Sequence, residues 1–256
     1  MLIDTHAHLN FEAFKNDWEE VARRAFDGGI VSIINVGSNL ETSKKAVAIA
    51  GNNMFAAVGL HPIHADDEYF PQEIFSKLAT NKKVVAIGET GIDLFYHKNN
   101  LKKQQQVFLK SISLANSVQI PIIVHCRNAK NEVFSILQKN MPQRGAVLHC
   151  YSEDWPFAQK LLKLGMHISF TANITQNSMV PGTLEAVKNI PLNKIMVETD
   201  SPYILPRIQK NKKIKRNEPL FVKEVAQKIA QIKGISFSEV AQQTTENAVR
   251  FFGLNK

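Results

Sequence analysis

The chain has 256 residues and a formal charge of +8, from 31 Lys+Arg against 23 Asp+Glu. Hydrophobic residues make up 44% and charged residues 21%, a balance that excludes wholesale disorder, and no apolar run approaches the ~18 residues of a membrane span. The length is large for one small domain and short for two full-sized ones, and it suits a single α/β barrel of about 250 residues.

In chain order, the first apolar run of strand length covers residues 2–6, and a helical pattern over 17–26 follows it with Trp18, Val21, Ala22, Ala25 and Phe26 on one face. Strands are then predicted at 31–36, 55–60 and 84–89, a helix at 101–116 and a strand at 120–125. Next come a helix at 131–137, a strand at 146–150, a helix at 157–164 and a strand at 166–170. A helix at 180–190, the eighth strand at 195–198 and a helix at 221–232 complete the series. Most strands are continuously apolar rather than alternating, as strands buried on both faces are. Eight strands alternating with helices predict a (β/α)8 TIM-type barrel forming one domain over 1–256, with a doubly wound open sheet as the competing arrangement. The segment 206–219, rich in Arg207, Lys210, Lys212, Lys213, Lys215 and Arg216, follows the last strand and reads as a long loop.

The positive surplus favours an anionic partner without naming one. Cys126 and Cys150 cannot make a disulfide framework and form no zinc-type CxxC pair, which suits a reducing cytosol. The first residues, Met1-Leu2-Ile3-Asp4-Thr5-His6, show no signal-peptide pattern, so a cytoplasmic protein without membrane association is expected.

Chemistry concentrates at the strand ends. His6, His8, His61, His125 and His149 fall at or just past predicted C-terminal ends, as do Glu89 and Asp200. In a barrel those ends converge on one mouth, where catalytic groups collect. His6 and His8, spaced i, i+2, present both rings on one strand face. Taken singly, each residue has an ordinary structural reading: a satisfied core histidine, a strand-end carboxylate, a turn cap. Taken together, His6, His8, Glu89, His125, His149 and Asp200 are too many donors for one tetrahedral ion. They suit two divalent cations sharing a carboxylate, with Asp200 placed to orient a water or take its proton. Two such ions against two carboxylates leave about two positive charges, which favours a phosphate-like group.

These residues lie within longer motifs: Asp4-Thr5-His6-Ala7-His8-Leu9, Gly59-Leu60-His61-Pro62, Ala86-Ile87-Gly88-Glu89-Thr90-Gly91-Ile92-Asp93, Pro121-Ile122-Ile123-Val124-His125-Cys126-Arg127, His149-Cys150-Tyr151-Ser152, Val197-Glu198-Thr199-Asp200-Ser201-Pro202-Tyr203 and Arg216-Asn217-Glu218-Pro219. In this order and almost end to end, the chain resembles the TatD family of metal-dependent deoxyribonucleases, within the amidohydrolase superfamily. The resemblance implies that His6, His8 and Asp200 hold one ion, that Glu89 bridges, and that His125 and His149 complete the second. It implies a catalytic set of Asp200, Glu89 and His61, with His61 beside the substrate phosphate rather than on metal. Asp93 and Glu198 would orient ligands. Arg127 and Arg216 are candidates for phosphate contact, with a rim salt bridge as the alternative for Arg127. His64 is expected at the surface, and His97 and His167 as structural residues. The chain departs from the family pattern at Glu153 and Ala172, where glycine is usual, and both bear on substrate choice rather than on metal.

The basic segment 207–216 is either a phosphate-backbone rail or a solvated loop. Phe95 and Tyr96 either stack on a splayed base or anchor their loop. Cys126 and Cys150 are expected buried and inert, since neighbouring strand residues point oppositely. The functional expectation is a two-metal phosphodiesterase attacking DNA from an exposed end or a single strand. The cations would be zinc, manganese, magnesium or iron, and no obligate protein partner is evident. A metal-dependent ester or amide hydrolase, for example of aminoacyl-tRNA esters, is the alternative at the same site. A metal-stabilised nucleic-acid-binding protein without turnover is the alternative from another class.

Overall fold

Eight strands run parallel in sequence order, each hydrogen-bonded to the next, in the computed structural model, which describes residues 1–66, 70–96 and 99–254. They are β1 Leu2–Ala7, β2 Ile30–Val36, β3 Met54–Val58, β4 Val84–Asp93, β5 Ile122–Arg127, β6 Ala146–Leu148, β7 His167–Phe170 and β8 Ile195–Val197. The ring closes where the chain beyond β8 returns to β1. The Asp200 N–H donates to the His6 carbonyl at 2.8 Å and the His8 N–H to the Ser201 carbonyl at 2.9 Å. The predicted (β/α)8 barrel is therefore the fold observed. Its seam is tied at His6, His8 and Asp200, three of the sequence-predicted site residues.

The strand sequences read as unbroken apolar runs because both of their faces are covered. All ten residues of β4 are buried, Glu89 and Asp93 included. Inside the barrel, Ile34, Val36, Phe55, Ala57, Val85, Ile123, Val147 and Met196 pack together, with Ala248 and Phe252 of the last helix joining them. Two residues farther along the same strand faces stand His125, His149 and Glu198. The apolar plug thus ends where the polar cluster begins.

The outer layer comprises α1 Trp18–Asp27, α2 Leu40–Ile49, α3 Gln72–Ala79, α4 Leu101–Val118, α5 Lys130–Lys139, α6 Trp155–Lys163, α7 Pro181–Asn189, α8 Arg207–Asn211, α9 Val222–Lys233 and α10 Phe237–Phe252 among the described residues. The sequence expectation omitted four of these. α2 and α10 carry start signals that composition obscured. Asn39 caps the Thr42 N–H at 2.9 Å, and Ser236 caps the Glu239 N–H at 3.1 Å. Of the described helices, α3 is the shortest apart from α8, with Phe75 and Ala79 as its buried residues. The expected long loop at 206–219 is corrected: it contains α8, whose Gln209 is buried and hydrogen-bonded to Glu224 of α9. A partner fifteen residues away decides that turn, and no local pattern announces it. Among the described residues, no helix is long and apolar enough to cross a membrane.

His167 opens β7 at the end of the barrel opposite the mouth, 4.9 Å from the Phe251 ring. Burial, then Lys194 and Arg250, push its pKa down to about 4. The folded pKa lies below the ordinary 6.5, so between those values the unfolded chain takes up a proton that the folded chain resists. The stabilisation is complete above the ordinary value and is lost as pH falls towards about 4. His167→Phe is expected to remove this loss. Urea midpoints of both proteins at neutral and mildly acidic pH check it, and equal acid sensitivity in the two would refute it.

Candidate metal centre

Six side chains from five strand ends meet at the mouth. Glu89 is the hub. Its Oε1 lies 2.7 Å from His125 Nδ1 and 2.7 Å from His149 Nε2. Its Oε2 lies 3.4 Å from His6 Nε2. His6 Nε2 is 3.2 Å from His8 Nε2, and His8 Nε2 is 3.2 Å from Asp200 Oδ1. His6 Nε2 also lies 3.8 Å from Asp200 Oδ1. The sequence-predicted residues His6, His8, Glu89, His125, His149 and Asp200 are thus neighbours in space, although Asp200 follows His8 by 192 positions.

The local backbone produces this aim. Gly88 and Gly91 flank Glu89 on β4 and adopt φ of 149° and 147°. A Cβ on Gly91 would lie 2.0 Å from the His125 carbonyl oxygen, so only glycine lets β4 approach β5 this closely. Asp200 adopts φ of 56°, a region that aspartate tolerates better than most residues. Beneath it, the buried Asn217 amide donates to the carbonyls of Thr199 at 2.9 Å, Tyr203 at 2.7 Å and Ile204 at 3.1 Å, pinning the loop that carries Asp200.

Outer hydrogen bonds fix which ring nitrogen faces the centre. His8 Nδ1 lies 2.7 Å from the Val36 carbonyl, so Nδ1–H donates there and Nε2 is turned inward. His125 Nε2 lies 3.1 Å from Asp93 Oδ2, which turns Nδ1 inward. His149 Nδ1 stands 3.3 Å from Glu198 Oε1, and the Cys150 N–H holds that same oxygen at 2.7 Å. That His149 contact is close in distance but misaligned for a hydrogen bond, since Nδ1 is a buried atom without one. Imidazoles that ligate metals are oriented in this way by carboxylates and carbonyls behind them. Among the described residues, three groupings, buried except for the half-buried His125, bring their donor atoms within 4.8 Å of one another: His6, His8 and Glu89; His6, His149 and Glu198; and His61, Glu89 and His125. Such clusters can hold a metal ion.

His61 differs from the others. The Ile63 N–H donates to its Nδ1 at 3.1 Å, so in the neutral ring Nε2 carries the hydrogen. That Nε2 stands 3.3 Å from Glu89 Oε1. Burial holds the ring neutral by pushing its pKa down to about 4. His61 therefore offers the mouth a hydrogen-bond donor rather than a lone pair.

Charge explains the remaining titration behaviour. Burial opposes ionisation of Glu89, but His149 and the hydrogen bond from His125 override it and hold the carboxyl well below its usual range. Burial likewise disfavours protonated His149, yet Glu89 and Glu198 raise its pKa well above the ordinary value. Burial opposes ionised Asp93 too, but His125 and the Tyr96 N–H bring it to about 2. The cluster thus keeps its carboxylates charged, and positive charge gathers around them.

One buried acid of this region had no role in the sequence reading. Asp4 accepts from the Thr199 hydroxyl at 2.5 Å, the Thr199 N–H at 2.9 Å and the His6 N–H at 3.3 Å. It couples β1 to the loop bearing Asp200. The motif Asp4-Thr5-His6-Ala7-His8 was the available signal, but beyond the local His6 N–H its acid finds its partner only in Thr199, 195 positions later.

Around the mouth the outcome is mixed. Arg127 is exposed, with its guanidinium carbon 4.1 Å from the Phe95 ring centre and 4.7 Å from that of Tyr96. Arg216 is instead committed: it holds Asp17 at 2.5 Å, the Ala13 carbonyl at 2.7 Å and Glu218 at 3.3 Å, and lies over Phe14. Of the basic segment, Lys210 donates to Gln176 at 3.0 Å and Arg207 to Asn177. Glu153 is partly buried, with Oε2 3.9 Å from Lys130 Nζ. Ala172 is fully buried. Cys126 and Cys150 are only partly buried as residues, yet burial pushes both thiols up to about 12, which keeps them protonated. His64 is half-buried rather than at the surface, and His97 lies outside the described residues.

The family model described as TatD related DNase matches residues 3–253. A Bacillus subtilis protein named as the uncharacterized metal-dependent hydrolase YabD is 38% identical, with 100% of each chain covered. The 3'-5' ssDNA/RNA exonuclease TatD of Erwinia amylovora is 32% identical, covering 99% of this chain and 100% of its own. The crystal structure of YjjV, a TatD homolog from Escherichia coli, superposes with a TM-score of 0.91 at 27% identity over 98% of both chains. With this barrel, this cluster at its mouth and a family match spanning nearly its whole length, the chain belongs to the TatD-related DNase family.

Proposed function

We propose that this protein is a divalent-metal-dependent phosphodiesterase that removes nucleotides from the end of a DNA strand. The observation that supports it best is the convergence of four imidazoles on Glu89 and Asp200, with the outward nitrogens of His8 and His125 tied to Val36 and Asp93. In this reading His6, His8 and Asp200 would hold one cation and His125 and His149 a second, with Glu89 available to both. The donors are imidazole and carboxylate, which suit zinc, manganese, iron or magnesium. Bound in a pair, such cations supply Lewis-acid polarisation of a phosphoryl oxygen and lower the pKa of water towards neutrality.

The chain's own residues do the rest. Asp200 is the most solvent-accessible acid of the cluster, its side chain 14% exposed against 6% for Glu89. It accepts the proton of the attacking water as the new P–O bond forms. His61 donates its Nε2–H to a non-bridging phosphate oxygen and so orients the diester. The bond from phosphorus to the 3′-oxygen of the remaining strand breaks, so that the terminal nucleotide leaves with the phosphate, and the freed oxygen takes up the proton from Asp200 or from solvent. A mouth closed at its base by the Phe252 plug admits a strand end more readily than the middle of a duplex. The exonuclease name of the Erwinia relative points to the 3′ end.

Chelation with EDTA is expected to bring hydrolysis of a 5′-labelled single-stranded oligonucleotide to background, with manganese or zinc restoring it. Metal analysis of the purified protein should show bound divalent cation. Undiminished cleavage by metal-free protein would overturn the reading. Turnover of acyl esters with no cleavage of oligonucleotides would overturn it as well.

A further inference from the structure

We propose that the Arg127 guanidinium, backed by Phe95 and Tyr96, is a stacking plate for the terminal nucleobase of a strand entering the mouth. This rests on the phosphodiesterase reading for its substrate and adds the element that receives the base. β4 and β5 end side by side, with Asp93 paired to Arg127. The turn after β4 and the Arg127 side chain therefore meet at the rim.

Phe95 is 48% exposed and Tyr96 62%, an unusual surplus of aromatic surface beside a polar site. Their rings stand at 90° with centres 4.8 Å apart, and the Arg127 guanidinium lies over both. Among the described residues no carboxylate pairs with Arg127, so its five N–H donors are not spent on an ion pair. A guanidinium held within cation–π distance of two exposed rings adds a planar cation to their surface, where a base of any identity can stack and an N–H group can reach a phosphate. A solvated surface arginine has no need of such backing.

The plate is also rigidly joined to the cluster. The Phe95 and Tyr96 N–H groups each donate to Asp93 Oδ1 at 2.8 Å, while Asp93 Oδ2 holds His125 at 3.1 Å. The Leu94 N–H donates to the Arg127 carbonyl at 2.9 Å. One carboxylate therefore positions both a ring of the cluster and the turn carrying the plate. A base seated there leaves its neighbouring phosphate facing the mouth. Stacking of this kind is tolerant of sequence, which suits stepwise removal of nucleotides.

The test uses single-stranded oligonucleotides ending in 2-aminopurine or in an abasic residue, with fluorescence and anisotropy read alongside cleavage. Wild-type protein is expected to quench terminal 2-aminopurine and to bind the abasic end about tenfold more weakly. Phe95→Leu with Tyr96→Leu should abolish that discrimination. Arg127→Lys, which keeps the charge and loses the plane, should reduce it strongly. Equal discrimination in wild type and variants, or no quenching by wild type, would overturn the plate. Quenching that persists with no cleavage under any metal would instead remove the phosphodiesterase reading and leave the plate as a nucleic-acid contact.

Discussion

Glu89→Gln is expected to lower turnover by about 10³-fold or more and to cut the metal bound per chain. One carboxylate stands 2.7 Å from both His125 and His149 and 3.4 Å from His6. The amide keeps the shape but loses the negative charge, and one of its two ends becomes a donor facing imidazole nitrogens. A group that orients catalytic machinery contributes about 10²–10⁴-fold by general experience, and loss of a shared ligand adds the cost of lower metal occupancy. Metal analysis and oligonucleotide turnover at saturating manganese separate the two contributions. A variant that keeps wild-type metal and wild-type rate would show that Glu89 is not the hub. Unchanged thermal unfolding beside lost activity would place the whole effect in the site.

Gly91→Ala should damage stability and site together. The added Cβ meets the His125 carbonyl oxygen at 2.0 Å, and the φ of 147° is itself unfavourable for alanine. Strained φ costs about 1–3 kcal/mol and forced overpacking a similar amount, so a loss of roughly 3 kcal/mol or more is expected. For a chain of this size that corresponds to a fall in Tm of roughly 10 °C. Relief of the clash requires β5 to shift at His125, so metal affinity should fall as well. Calorimetry and metal titration check both. A variant with wild-type Tm and wild-type metal binding would show that the two strands yield easily at this point.

The expected fold and the observed fold agree because barrel strands announce themselves locally. Val84-Val85-Ala86-Ile87 is apolar on both faces since both faces are covered, and the same holds for Ile122-Ile123-Val124. Helices were less legible. α2 reads Leu-Glu-Thr-Ser-Lys-Lys-Ala-Val-Ala-Ile, with too few apolar positions to stand out by period. α8 exists because Gln209 finds Glu224. Arg216 looked like a phosphate contact in a basic run, whereas Asp17 and Glu218 claim it. Charge counted along a chain does not reveal which cations have already been paired.

The sequence alone determined that donors cluster at strand ends, because a barrel maps every strand end to one mouth and the residue types are written in the chain. Only the tertiary structure decided which nitrogen of each ring faces inward. Those choices depend on partners such as the Val36 carbonyl, 28 residues from His8, and Asp93, 32 residues from His125. It also decided that Asp4 serves Thr199, 195 positions away, and that the Arg127 guanidinium lies over two exposed rings. A hydrogen-bond partner is fixed by position in space, and sequence spacing carries that information only within a single strand or helical turn.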